Sequence, residues 1–115
     1  MPKDDLLYFG HMLDAARGAC AAVEGINRAA FDADENLRLA QAHRIQIIGE
    51  AARRVSPAGR RAHSEIPWRQ ITGMRHRIVH DYLNIQYNIV WQVVRQDLPA
   101  LTAALEKFVP ELEND

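Results

Sequence analysis

Apolar residues return along the chain at alternating steps of three and four, the period of an amphipathic helix. The first stripe is Leu6, Phe9, Leu13, Ala16, Cys20 and Val23. Asp4 or Asp5 is placed to cap its start, and Gly25 with Asn27-Arg28 suits its end. Cys20 sits on the stripe, which favours burial over reactivity. Residues Phe31 to Glu35 read as a short connection, with Asp32 or Asp34 as the next cap. Leu37, Ala40, Arg44, Ile47, Ile48, Ala51 and Val55 then follow helical spacing, with Arg44 an odd polar member. Gly49 lies inside this helix at a cost in propensity that a close helix–helix approach would explain. Ser56-Pro57 ends it.

The stretch 57–65 is basic and irregular, with room for one short helical turn. Ile66-Pro67-Trp68 reads as a helix entry with Pro67 in the first position. Trp68 and Ile71 face inward, Gly73 allows a break, and Met74 begins a helix that Leu83-Asn84 closes. The last helix starts between Gln86 and Asn88, and its stripe is Val90, Val94, Leu98, Leu101, Leu105, Phe108 and Leu112. Pro99 falls inside it and predicts a kink or a restart. No segment alternates with period two between turn signals, so no sheet is expected. The pattern predicts a single all-helical, bundle-like domain over residues 1–115.

Composition adds little to this picture and charge adds more. Net charge is -1, so the chain as a whole has no bulk attraction for nucleic acid. The charges are nevertheless segregated. From Arg38 to Arg77 there are nine arginines against only Glu50 and Glu65, whereas carboxylates gather towards both ends. Such a basic middle is either a solvated face or a phosphate-binding surface. The lone Cys20 allows no intramolecular disulfide and suits a reducing compartment. The start lacks the apolar core of a signal peptide, and no apolar run has the length of a membrane span. A cytoplasmic protein without a membrane partner is expected.

Titratable chemistry concentrates in Arg75-His76-Arg77-Ile78-Val79-His80-Asp81-Tyr82. Arginine grips phosphate with a permanently charged planar fork, and histidine gives or takes a proton near neutral pH. These are sufficient in kind for metal-free RNA cleavage, with His80 as base or acid and Arg75 as the cation that meets developing charge. On a regular helix Arg75 and His80 stand roughly 140° apart, so one helix does not bring them together. Convergence needs a helix end, a long side-chain reach or a partner subunit. His76 and His80 share a face, as do Arg75 and Tyr82. A metal on His76 and His80 would need further ligands, and Asp81 points off their face, so no metal is expected. His11, His43 and His63 read as isolated surface or core residues.

The spacing arginine, four residues, histidine, one residue, tyrosine resembles the motif of the HepT-like toxins of the HEPN superfamily. Here it is filled by Arg75, His80 and Tyr82. The flanks extend the resemblance: residues 46–56 are similar to the family's second-helix block, Ile66 to Arg75 to its approach to the motif, and Ile89-Val90-Trp91 with Asp97-Leu98-Pro99 to its last helix. The resemblance implies an all-α, HEPN-type antiparallel bundle of four to five helices, homodimeric, with both motifs in a shared cleft. It implies a metal-independent endoribonuclease toxin with Arg75 and His80 catalytic and RNA as substrate; the neighbouring His76 and Arg77 are read from their position as supporting residues. It further implies neutralisation by a minimal nucleotidyltransferase, the MntA-like antitoxin, which transfers AMP from ATP to Tyr82. The chain itself would need no cofactor. A higher assembly with the antitoxin is compatible with this reading. Two departures stand out: His76 replaces the family's usual asparagine, and His43-Arg44 replaces an arginine–asparagine pair, so neither His43 nor Arg44 is given a role. The competing reading is a non-catalytic nucleotide- or partner-binding subunit of a nucleotidyltransferase.

Overall fold

The computed structural model describes residues 2–81 and 84–109, with all their side chains except those of Lys3 and His80. Helix α1, Lys3–Ala22, packs lengthwise on α3, Glu35–Arg54, and on α8, Leu98–Glu106. Phe9, Met12, Leu13, Ala16 and Ala19 of α1 meet Ile45, Ile48 and Ala52 of α3 and Leu98, Leu101 and Leu105 of α8, all of them buried. The ion pair of Arg17 with Glu106, at 3.2 Å, ties α1 to α8 at the surface. The expected all-helical bundle is therefore present, with its core where the three stripes face one another.

The short elements set the geometry of the columns. After α1 the chain turns at Gly25, the one residue with positive φ (+74°) among those described. The connection at Phe31 is itself helical: α2, Arg28–Ala33, is capped by Asn27, whose Oδ1 accepts the Ala30 N–H at 2.8 Å, and it drives Phe31 into the core. Asp34 caps α3 as expected, accepting the Leu37 N–H at 3.0 Å. Asp4 and Asp5 do not cap α1, which has no side-chain cap. Asp5 instead turns inward and accepts from Ser56, from the backbone N–H at 2.9 Å and from the hydroxyl at 2.5 Å. Ser56 caps α4, Pro57–Ala62, so one serine serves both jobs. Helix α5, Trp68–Thr72, lays the carbonyls of Ile71 and Thr72 over Gly49 of α3, where a Cβ would come to 3.4 Å of the first. This is the close approach that Gly49 predicts.

The region after Gly73 departs from the helical expectation. Helix α6, Met74–Ile78, is short, and Val79 turns extended with φ −103° and ψ 109°. Strand β1, Val79–Asp81, pairs antiparallel with β2, Asn84–Ile85, with an irregularity in the ladder between Val79 and Asp81. The Gln86 N–H then closes on the Ile78 carbonyl at 2.7 Å. The motif helix thus ends at Ile78 and not at Leu83-Asn84, and Leu83 lies outside the described residues. Helix α7, Tyr87–Gln92, runs into a π-helical turn, Val93–Asp97, and then into α8. The turn is closed by the Leu98 N–H on the Val93 carbonyl, five residues back. Pro99 consequently falls in the first turn of α8, where its missing N–H costs nothing. The restart that Pro99 predicts takes the form of this widened turn. Leu112 lies outside the described residues.

Candidate active site

Arg75 stands exposed on the first turn of α6, at the mouth of a depression of about 270 Å³. The opposite wall is one face of α3: His43, Gln46, Ile47 and Glu50, spaced three, four and seven apart so that they stack along the helix. Glu50 does not pair with Arg75; its carboxylate lies 3.6 Å from Arg54. The motif arginine is therefore presented with a histidine, an amide and an apolar side chain close by, and His43 is not isolated. A seven-residue period from His43 to Glu50 is visible in the sequence, but nothing there indicates that α6 crosses it.

His76 is exposed on α6. Arg77 turns the other way, to Asp97 at the end of the π-helical turn, with Nη1 3.1 Å from Oδ2. The same oxygen accepts from Gln70 Nε2 at 3.4 Å, so Asp97 ties α5 and α6 to the last helical column. The backbone of His80 lies in β1, two residues past the end of α6. The face-sharing of His76 with His80 presumes a continuous helix and does not apply. Tyr82 lies outside the described residues. Asp81 Oδ2 accepts from Asn84 Nδ2 at 2.9 Å across the hairpin.

Two further depressions adjoin the first, and all three share Ile47. One is lined by Tyr8, His11, Glu50, Ala51 and Arg54, the other by His11, Asp14, Ala15 and Arg44. Together they make a continuous concave face over α1, α3 and α6 on which cationic and titratable bases outnumber the carboxylates Asp14 and Glu50. His63 takes no part, because its ring stacks on Phe108 with 3.6 Å between centroids and meets the edge of Phe9. Cys20 is half-buried; burial pushes its thiol above the ordinary range, and the Thr102 hydroxyl opposes this more weakly. No cluster of three or more metal-ligating side chains exists among the described residues. Nor is any described helix long and apolar enough to cross a membrane.

The model of the ribonuclease HepT-like family matches residues 12–108, from the middle of α1 to just past α8, and so includes Arg75 and the hairpin that follows it. The chain belongs to the HepT-like ribonuclease family. A protein of Caldanaerobacter subterraneus subsp. tengcongensis, provisionally named as an RNase, is 33% identical to this HepT-like chain over 105 residues, covering 91% of the chain and 90% of the relative. A protein of Thermococcus cleftensis named probable ribonuclease HepT is 34% identical over 78 residues, 68% of the chain and 71% of the relative. A third, from Methanocaldococcus jannaschii and also provisionally named as an RNase, is 28% identical and covers 92% of the chain and 98% of its own length. No solved structure gave a significant match.

Proposed function

We propose that this HepT-like ribonuclease is a metal-independent endoribonuclease with Arg75 and His80 as its catalytic pair. The observation that carries the reading is the end of α6 at Ile78. A continuous helix would hold the two residues on different sides, whereas the extended backbone from Val79 frees His80 from helical periodicity while Arg75 stays at the concave face. In the reaction the ribose 2′-hydroxyl attacks the adjacent phosphorus and the P–O5′ bond breaks. The products are a 2′,3′-cyclic phosphate and a 5′-hydroxyl. One proton leaves the 2′-oxygen and one arrives at the 5′-oxygen, and a histidine serves as the carrier. Arg75 meets the charge that builds on the phosphoryl oxygens. Two copies are proposed to share one cleft, and exposed Leu39 on α3 gives apolar surface for such a contact.

At the level of the cell we propose a toxin, neutralised by a minimal nucleotidyltransferase of the MntA-like type that moves AMP from ATP to Tyr82. The phenol oxygen would displace pyrophosphate at the α-phosphorus. The added bulk and negative charge, two residues along the chain from His80, would repel an RNA phosphate. The test is RNA cleavage by the purified chain with a chelator present, alongside growth on expression of the chain alone. Arg75→Ala and His80→Ala are each expected to lower cleavage by about 100-fold or more and to relieve growth arrest. Full cleavage by a folded His80→Ala protein would remove His80 from the chemistry. RNA bound but never cut by the parent would favour a non-catalytic subunit.

A further inference from the structure

Gln41 is a polar side chain in the middle of the core, with 0% of it exposed. A buried amide is tolerated when its groups are paired, and here both ends are. Nε2 donates to the carbonyl of Ala19 on α1 at 2.7 Å, and Oε1 accepts from Nη1 of Arg44, one turn along α3, also at 2.7 Å. The Arg44 side chain lies across Gly18 of α1, where a Cβ would come to 3.3 Å of its Nε. A core amide and a missing side chain thus fix one guanidinium in place. Among the described residues no carboxylate lies within ion-pair distance of it. Asp14 lines the same depression with His11, Ala15 and Ile47 but does not reach the guanidinium.

A pre-positioned fork with donors left over is suited to an anion that offers paired oxygens, and little side-chain freedom remains to be lost on binding. The depression at Arg44, about 340 Å³, joins that of Arg75 through Ile47, which is 37% exposed. We propose that Arg44, set by Gln41 and Gly18, grips an RNA backbone phosphate other than the one being cut. The inference rests on the ribonuclease reading above. It makes the enzyme favour an RNA strand that runs over Ile47 from Arg75 to Arg44, and disfavour a substrate too short to reach both.

The experiment compares the parent chain with Arg44→Gln and Gly18→Ala on a single-stranded RNA oligomer and on a dinucleotide. Binding is followed by fluorescence anisotropy across a salt series, and cleavage by initial rates. Arg44→Gln is expected to raise Kd and KM for the oligomer about tenfold and to reduce the slope of log affinity against log salt by about 0.7. The kcat and the dinucleotide rate should stay at the parent's values. Gly18→Ala crowds Arg44 without changing any charge. It should weaken oligomer binding in the same direction, by less, with a melting temperature at or above the parent's because alanine is the better helix former. Parent-like oligomer binding by both folded variants would overturn the proposal. So would an equal loss on the dinucleotide, which would place Arg44 at the scissile phosphate. A parent that binds RNA through Arg44 but cuts none would sink the ribonuclease reading and leave the grip standing; a parent that neither binds nor cuts would sink both.

Discussion

At the scale of single residues, Asp5 does the most for the fold. It is 1% exposed, and its two oxygens go to the backbone N–H and the hydroxyl of one serine 51 residues away. Its space is reserved by Gly59, where a Cβ would come to 2.4 Å of the carboxylate and 2.9 Å of Val55. Asp5→Ala leaves the part-buried N–H and hydroxyl of Ser56 without their acceptor and is expected to cost about 1–3 kcal/mol, read from urea unfolding. Asp5→Asn keeps one acceptor and should recover part of that. The sequence does not reveal this role, because an acid at a helix start reads as that helix's own cap. The competing partner sits across the fold and leaves no local trace. Asp34 was legible by the same rule because no tertiary partner competes for it. Arg44 was visible as an odd member of an apolar stripe, but Gln41 beneath it was not. Buried amides carry no periodic signature.

Among the elements, the helices with an apolar stripe were legible in place and in most of their buried residues, although Leu6 and Ile47 turn out exposed and α8 ends at Glu106, before Phe108; the motif segment was not. Residues 75–82 are polar on most sides, so no stripe fixes a helical period there. The outcome is decided by a backbone bond from Gln86 to Ile78 and by a ladder of two short strands. So small a ladder is marginal by itself, which gives the clasp of Arg77 and Gln70 on Asp97 its importance. The π-helical turn ends on Asp97, and Asp97 fastens α6 to the last column. The Arg77–Asp97 pair is part-exposed, so Asp97→Asn should lower stability by no more than about 1 kcal/mol. RNA cleavage should fall several-fold further than this small loss explains, since the hairpin carrying His80 follows directly from α6. Parallel unfolding and cleavage assays check the contrast, and equal small losses would show the clasp to be merely structural.

As a whole the molecule measures 42 × 29 × 20 Å. Its thinnest direction is two helix diameters, since a helix with its side chains is about 10 Å across. The depressions that hold Arg75, His43 and Arg44 are shallow and all open on one face. Under the proposal above, a second copy of the chain closes this face into a cleft. If Arg75 of one copy works with His80 of the other, mixing Arg75→Ala with His80→Ala protein should restore cleavage, because one intact pair forms in each mixed dimer. Pairing within one copy predicts no recovery, and the mixture assay decides between them. The bond between Asp5 and Ser56 has one more consequence, for the order in which the chain is made. The chain must be synthesised 51 residues beyond Asp5 before that carboxylate can meet its partner. Until then the Asp5 carboxylate at the head of α1 is without the partner that holds it in the folded chain.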